Sequence, residues 1–473
     1  MKRLLALACV LCWLTIAAAE DVGDGWRVMT SSAVGVPGDR VVAAAIQSDG
    51  HIVLAAHIQD GPFIESIRRL QPGDAVVLRL SPDGREVVSA IGVGTDVRDM
   101  VVDHEDHVIL ALGKNGVVRV QPQLDGGSWV HDVGGLCARV DVGEDGTVVA
   151  LRYDNDTKAT TGSGELTVIS PQGRVLGQFS GYRHTTDAII DSASETVVHI
   201  GWRQARAHDG NTNNPVQIAY IRGVGYDGEV KYLLYDWSTD RNHPRFLNQP
   251  TNNMADTRGY RLTRGPDGTF YAGFECAGGN HIFRYEPQLN SDDQWVRASG
   301  KRHQGDRFFE WTNSRSEHKL FVARYNAETG EYLRGQQFAG RHSSGRTNGV
   351  GMGEGALVVD DHGRLLAGES AAAGLPLTFD PPDLSAYTGG GYLLMLSPNM
   401  DARPIVTRFT PTGTTHALAA RSIDGVDRIV FAGSIGGDDA AEGVFFRHQA
   451  IQEVTPGNAG FVSVLHKQID PDQ

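Results

Sequence analysis

The sequence predicts an all-β fold, a seven-bladed β-propeller of four-stranded antiparallel blades, on three observations. Two kinds of β-hairpin alternate along the chain. Glycine is abundant, with 58 residues in 473, which is typical of many short strands joined by tight turns. One strand near each end of the chain has no partner in a hairpin of its own, so pairing these two strands would close a ring.

Hairpins of the first kind consist of a strand, a short polar turn that often contains Asp-Gly, and a second strand. We count seven of them, beginning at Asp39, Asp96, Leu136, Thr186, Asp256, Glu354 and His416. A hairpin of the second kind follows each of them, and six complete copies begin at Ala75, Gly116, Glu165, Ile218, Leu320 and Gly391. The seventh copy has only one strand, at 461–469, and the segment 26–35 supplies its missing partner. Seven four-stranded units closed in this way form a propeller.

Residues 368–401, GESAAAGLPLTFDPPDLSAYTGGGYLLMLSPNMD, resemble the SBBP repeat, whose family is named for seven-bladed β-propellers. The shared pattern is a strand ending in Gly, a loop with Pro, a Gly-rich approach, and a strand that leads into a Pro-Asn turn. IVFAGSI and GNAGFVSVL, from Ile429 and Gly457, are similar to parts of it. The resemblance implies an exported bacterial propeller. It implies no catalytic residues, because the family has no agreed ones.

The N-terminus predicts a signal peptide over residues 1–19. Lys2 and Arg3 precede a short apolar run, and Ala17 to Ala19 form a small-residue cleavage site. We therefore expect a secreted or periplasmic protein with one propeller domain, 20–473. Only Cys137 and Cys276 remain after cleavage, in blades that are not neighbours, and we expect two separate thiols.

The net charge of the chain restricts the classes of partner that we expect it to bind. The formal net charge of −14 becomes −16 when Lys2 and Arg3 are removed. An acidic protein of this kind is not expected to bind nucleic acid. No stretch after the signal peptide is apolar enough to predict membrane insertion. We expect a monomer.

We expect no cofactor. YNAETGEYL, from Tyr325, resembles the Ala-x-x-x-Thr-Gly turn of quinoprotein propellers, but it occurs once and lacks a terminal Trp. Two Asp/Asn-rich stretches, 209–214 and 154–158, leave structural calcium open, although such residues are common in plain turns. His104 and His107 lie in an acidic turn where we predict no metal.

Loop lengths place a site on one face of the propeller. The turns within hairpins are short, whereas the connections between hairpins are long, and the longest is an insertion at about 275–319. Loops on a rigid scaffold are where binding residues concentrate. Residues 237–350 contain sixteen Lys and Arg against twelve Asp and Glu, a net charge of +4 on an acidic chain. A basic, aromatic face suits an anionic ligand, because Arg donates two parallel hydrogen bonds to a carboxylate or a sulfate.

Three functions follow from this face. The first is an extracellular binding or interaction protein for an anionic glycan. The second is a lyase acting on uronate-containing polysaccharide, which needs a cation or an amide to neutralise the carboxylate and a Tyr or His for proton transfer. The third is a glycoside hydrolase, which needs two carboxylates such as Glu275 with Asp256 or Asp306. For the lyase we predict Tyr260 and His281 as the catalytic residues. The predicted ligand-binding residues are Arg258, Arg261, Glu275, Asn280, Arg341, His342, Trp237 and His243.

Overall fold

The computed structural model describes residues 20–36, 38–59, 67–155, 162–206, 215–236, 255–277, 282–284, 286–288, 317–380, 386–408, 412–436 and 459–469. Within these ranges the chain is almost entirely β-strand, with one short 3₁₀ helix, Ile282–Arg284. The strands form seven blades arranged in a ring, which confirms the predicted seven-bladed β-propeller.

Each blade begins with a strand at the centre of the ring and continues outward. The innermost strands of blades 1 to 7 are Arg40–Ile46, Asp99–Val102, Leu136–Val142, His184–Asp191, Thr257–Gly265, Ala356–Val359 and Thr414–Ile423. The second strands are Ile52–His57, Val108–Ala111, Val148–Tyr153, Thr196–Arg206, Thr269–Ala277, Leu365–Ala372 and Val426–Ser434.

The third and outermost strands complete the blades. The third strands are Ala75–Leu80, Val117–Val120, Glu165–Ile169, Pro215–Gly225, His318–Asn326, Gly389–Leu396 and Gly460–Gln468. The outermost strands of blades 1 to 6 are Val87–Gly94, Gly127–His131, Val175–Ser180, Val230–Tyr235, Tyr332–Phe338 and Ile405–Thr407. Short extra strands are Arg68–Arg69 beside blade 1, and the pair Gly340–Arg341 and Thr347–Asn348 between blades 5 and 6.

The ring closes in blade 7 as the sequence predicts. The N-terminal strand Trp26–Val34 pairs antiparallel with Gly460–Gln468 and so becomes the fourth strand, and Glu20–Gly23 adds a fifth. The hydroxyls of Ser31 and Ser463 form a buried hydrogen bond of 2.8 Å across this pairing.

Polar turns join the first two strands of each blade, and they require a left-handed backbone. Gly50 has a φ of 86° in blade 1, a conformation that glycine adopts without cost. In blade 4 the corresponding turn has no Asp-Gly pair, and Glu195 takes the left-handed position there with a φ of 50°. We call the side with these turns the turn face and the opposite side, where each innermost strand starts, the loop face.

Aspartates on the innermost strands connect blades 2 to 5. Asp99 accepts a hydrogen bond from the Val140 amide at 3.1 Å, and Asp187 accepts one from the Leu262 amide at 2.9 Å. Asp141 does the same with the amide of the next blade, Ile190, at 2.9 Å. These amides lie on the inner edge of each innermost strand, where no further strand of the same blade can accept their hydrogen bonds. The aspartate carboxylates of the preceding blade accept them instead.

Two further sequence predictions can be compared with the fold. Cys137 and Cys276 are buried and not bonded to each other, as expected. The segment predicted as a signal peptide, residues 1–19, and most of the insertion between 275 and 319 lie outside the described residues. Among the described helices, none has the length and apolar character needed to cross a membrane.

Candidate functional site

Five of the seven innermost strands carry a β-bulge near the loop face. The pairing with the second strand skips one residue in each of blades 1, 3, 4, 5 and 7. A bulge leaves its extra residue without a cross-strand partner and redirects the side chain. The skipped residues are Val42, Ala138, Thr186, Tyr260 and His416, and all five line one cavity at the centre of the loop face.

We call this space the mouth cavity, and it has a volume of about 530 Å³. Blades 2 and 6 have no such bulge, but they contribute Arg98 and Glu354, so every blade supplies a residue. Beneath it lies a second space of about 470 Å³, the central channel, which is lined by the innermost strands. Arg139 and Arg261 border both spaces, and we call the level of these two residues the neck.

Three aromatic rings form one wall of the mouth cavity. The His184 imidazole lies on Trp202 with ring centroids 3.8 Å apart, and the Trp202 ring meets Tyr260 edge-to-face at 5.3 Å. Burial, together with the smaller effect of the Arg258 guanidinium, lowers the pKa of His184 to about 4. His184 is therefore a neutral ring at physiological pH, and the wall carries no charge of its own.

The two arginines at the neck differ in their hydrogen bonding. Arg261 is buried and donates to three carbonyls, those of Gly355 at 2.5 Å, Gly353 at 3.0 Å and Tyr260 at 3.0 Å. It therefore fastens blade 5 to blade 6. Arg139 is half-buried, and its guanidinium has no hydrogen bond or ion pair with any residue that the structure describes.

The neck also contains two carboxyl groups. Burial raises the pKa of Asp99, and burial raises the pKa of Asp187 to about 6 although Arg139 and Arg261 lower it in part. Two arginines and two aspartates therefore alternate at this level, on blades 2 to 5. Their formal charges cancel when all four are ionised.

Of the predicted site residues, Tyr260 and Arg261 lie in the mouth cavity, and Arg258 lies beside Tyr260. Burial and the nearby Glu275 carboxylate raise the pKa of Tyr260 to about 12. The Arg258 guanidinium donates to the Gln217 side chain and to Asp256, the latter at 3.1 Å. Arg258 is thus held against the outside of the aromatic wall.

Glu275 lies behind Tyr260, in a separate space of about 330 Å³ between blades 5 and 6. Its carboxylate accepts hydrogen bonds from the amides of Met352 at 2.9 Å and Gly353 at 3.2 Å, and its other oxygen lies 2.8 Å from His318 Nδ1. Burial raises the pKa of Glu275, but these hydrogen bonds outweigh it and leave the pKa below its ordinary value. Glu275 therefore holds the glycine-rich segment 349–355 in place.

Glu369 approaches the same segment from blade 6. Its Oε1 accepts a long hydrogen bond of 3.3 Å from the Glu354 amide, and its Oε2 is buried with no hydrogen-bond partner among the described residues. A Cβ on Gly351 would lie 1.7 Å from this oxygen, so a side chain at that position would displace the Glu369 carboxyl group. Burial and the Glu275 charge raise the pKa of Glu369 to about 7.

The remaining predicted residues are not in the mouth cavity. Arg341 and His342 belong to the short hairpin between blades 5 and 6, where the Arg341 side chain approaches the Gly345 carbonyl and His342 is exposed. Asn280, His281, Trp237 and His243 lie outside the described residues. The structure thus brings Arg258, Tyr260, Arg261 and Glu275 together and separates Arg341 and His342 from them.

Sequence reasoning missed the residues that form most of the site: Arg139, His184, Trp202, Glu354 and His416. A signal was present for three of them. Aligning the starts of the seven innermost strands places Ala138-Arg139, Glu354 and His416 beside Tyr260-Arg261. Trp202 and His184 had no such signal, because their contact depends on packing between two strands.

Metal ligands at suitable distances occur together once in the described ranges, on the turn face. They are Asp103, Glu105 and His107, the acidic turn that contains the predicted non-binding histidines. The Arg119 guanidinium already contacts all three, at 3.0 Å from both Glu105 and His107. A cation thus occupies the position between them.

Of the two stretches considered for calcium, residues 209–214 are not described, and Asp154 is paired with Arg152 at 3.3 Å.

Comparisons with known proteins add little to this geometry. No protein-family model matches the chain, and neither does any curated protein. Among solved structures, the quinohemoprotein alcohol dehydrogenase from Comamonas testosteroni is similar over 94% of this chain and 77% of its own, at 9% sequence identity and a TM-score of 0.43. A likeness this distant carries no argument about function or cofactor. What is shown is the seven-bladed propeller fold, and the similarity to the SBBP repeat is one of sequence pattern alone.

Proposed function

We propose that the protein is an exported, non-catalytic binding protein that holds an anionic saccharide in the mouth cavity. The observation that carries the proposal is the aromatic wall of His184, Trp202 and Tyr260 beside the guanidinium of Arg139. Cavities with apolar or aromatic walls and a few convergent polar groups are the usual sites of small ligands. Saccharides match this pattern, because their rings offer flat C–H faces and their edges offer polar groups.

The chemistry of Tyr260 and Glu275 supports binding over catalysis. A general base works best with a pKa near the operating pH, whereas Tyr260 stays protonated because its pKa is raised to about 12. A hydrolase acid needs a raised pKa, whereas hydrogen bonds lower that of Glu275. Both groups instead support the cavity wall.

Export and the anionic ligand are parts of the same proposal. Residues 1–19 have the composition of a signal peptide, and the similarity to the SBBP repeat implies exported relatives. Outside the cell, acidic polysaccharides are abundant ligands with repeated carboxylates. Their charge complements Arg139 and the net positive charge of residues 237–350.

The test is affinity gel electrophoresis of residues 20–473 in gels that contain an acidic or a neutral polysaccharide. In parallel, the ultraviolet absorbance of a mixture of protein and polysaccharide is followed, because a lyase would produce an absorbing unsaturated uronate. We expect retention by at least one uronate-containing polymer and no absorbance increase. Trp202→Ala should abolish the retention. Trp129→Ala, which removes a half-buried Trp of blade 2 outside the cavity, should keep it. No retention by any acidic polymer would overturn the proposal. An absorbance increase that marks an unsaturated uronate would replace it with the lyase.

A further inference from the structure

Within the described part of the chain, Arg139 is the cation at the floor of the mouth cavity whose guanidinium has no hydrogen bond or ion pair. Its position follows from the blade 3 bulge, because Ala138 takes the skipped position and Arg139 resumes the pairing with Leu151. The side chain borders both the mouth cavity and the channel. None of the described residues accepts a hydrogen bond from it, so its planar set of donors is available to a ligand.

Of the other three arginines that line the cavity, Arg261 and Arg98 are already engaged. Three of the five N–H donors of Arg261 are used by carbonyls. Arg98 donates to Asp96 at 2.6 Å. Arg40, the third, has no hydrogen-bond partner among the described residues, but it is exposed to solvent, where water and salt screen its charge. An anion that enters the cavity therefore finds its strongest partner in the half-buried Arg139 at the floor.

Beneath Arg139 the path is closed to an anion. The carboxyl groups of Asp99 and Asp187 lie near the guanidinium and are fixed by the Val140 and Leu262 amides. A second negative charge that moved past Arg139 would meet both of them. Further down, the cations that line the channel are already paired, Arg264 with Asp141 at 3.5 Å and Arg421 with Asp106 at 3.8 Å. The charged end of a ligand must therefore stop at Arg139.

The charge balance selects the kind of anion. The charged groups lining the mouth cavity are Arg40, Arg98, Arg139 and Arg261 against Asp96 and Glu354. Adding the ionised Asp99 and Asp187 at the neck cancels this excess of two positive charges, so the site has no surplus positive charge for a group with several negative charges. A carboxylate presents two oxygens, which one guanidinium satisfies as a pair. A sulfate would leave a third oxygen facing Asp99 and Asp187.

We infer that the ligand binds end-on, as a saccharide chain whose terminal uronate places its carboxylate on Arg139 and its ring against Trp202. This inference rests on the proposed function and makes it more specific. A chain lying across the mouth would present its carboxylates to the rim, where Arg98 is paired and Arg40 is exposed to solvent, and would leave Arg139 without a partner. The recognised feature is therefore the end of the chain.

The experiment compares three oligosaccharides of equal length by isothermal titration calorimetry. The first is a neutral oligosaccharide capped by one glucuronate at its non-reducing end. The second is its carboxyl-reduced form, and the third carries the glucuronate at an interior position. We expect the capped form to bind at least about tenfold more tightly than either of the others, which corresponds to about 1.4 kcal/mol.

Variants identify the residue responsible. Arg139→Gln should lower the affinity for the capped oligosaccharide at least about tenfold and leave that for the carboxyl-reduced form unchanged, which a purely structural role would not do. Arg174→Gln, at an exposed turn of blade 3, is the matched control and should change neither. Equal affinities for the capped and interior forms would overturn end-on binding, while retention on acidic polymers would still uphold the proposed function. Loss of binding to every saccharide by Arg139→Gln would assign Arg139 to the fold and also overturn the inference.

Discussion

The two sides of the mouth cavity differ in how their polar groups are used. On the side of blades 3 to 5, three aromatic rings adjoin the guanidinium of Arg139, which is not hydrogen-bonded to any described residue. On the side of blades 7, 1 and 2, His416 donates from Nδ1 to the Glu354 backbone carbonyl, and its Nε2 is hydrogen-bonded to the Ser434 hydroxyl. Arg98 is paired with Asp96, and the skipped residue of blade 1 is Val42. The bulged strands of blades 3 to 5 therefore present groups to the proposed ligand, whereas those of blades 7 and 1 contribute to contacts that hold the ring together.

The largest expected effect is at the boundary between the two sides, where Glu369 lies beneath the segment 349–355. Its pKa of about 7 in the folded protein exceeds its ordinary value of 4.5. Its contribution to stability is therefore complete below pH 4.5 and is lost as the pH rises through 7. The loss reaches about 3 kcal/mol in the free energy of unfolding.

Urea denaturation at pH 5 and pH 8 measures this effect. Since only the Glu369 contribution is removed, we expect the free energy of unfolding of Glu369→Gln, relative to that of the unmodified protein, to rise by about 2.5 kcal/mol between pH 5 and pH 8. Glu86→Gln, an exposed glutamate of blade 1, should behave like the unmodified protein. If Glu369→Gln shows the same pH dependence as the unmodified protein, the Glu369 carboxyl is ionised in the folded state. The stability of the boundary between the two sides then does not depend on its protonation.

A smaller effect concerns Asp187 on the recognition side. Its pKa of about 6 means that it gains a negative charge between pH 5 and pH 7, while Arg139, Arg261 and Asp99 surround it. A ligand carboxylate on Arg139 remains ionised throughout, so the added charge opposes binding. We expect the affinity for a uronate to fall by about threefold, or about 0.7 kcal/mol, over this range.

Calorimetry at pH 5, 6 and 7 tests this prediction. Asp187→Asn keeps a side-chain oxygen for the Leu262 amide and should bind with the same affinity at all three values. A decline of equal size in Asp187→Asn would assign the pH dependence to another group and remove Asp187 from the recognition side.

The smallest expected effect is on the opposite side. Arg98 is engaged with Asp96 at the rim, so Arg98→Gln should change the affinity for an acidic saccharide by less than about twofold, within 0.4 kcal/mol. Fluorescence titration with the polymer that is retained best gives the comparison with Arg139→Gln. A loss as large as that of Arg139→Gln would mean that both sides bind the ligand, and the contrast between them would disappear.

Much of the fold could be predicted from the sequence, because it depends on local signals. Alternating apolar residues and polar turns identify every hairpin, and the unpaired segment at Trp26 indicates the closure of the ring. The site was only partly predictable. A bulge shifts the alternation of inward and outward side chains by one residue. The alternation of apolar and polar residues within a single strand does not show where this shift occurs. Arg139 was therefore missed, although Tyr260 and Arg261 were found.

Loop length was a weaker guide than strand register. It led to Arg341 and His342, which form a small hairpin away from the cavity, since a long connection can fold on itself without reaching the centre. Trp202 was missed for a different reason. It sits within a second strand, where an aromatic residue usually packs in the core, and only its contact with His184 exposes its role in the wall.

The closure of the ring has a consequence for the order of events when the chain folds. Ser31 and Ser463, which meet across the closing strands, are 432 positions apart in sequence. At a synthesis rate of about 5–20 residues per second, the strand Trp26–Val34 waits roughly 20–90 seconds before its partner exists. During that time blades 1 to 6 can form in turn, each from neighbouring hairpins, while the pairing of Trp26–Val34 with Gly460–Gln468 is the last to form.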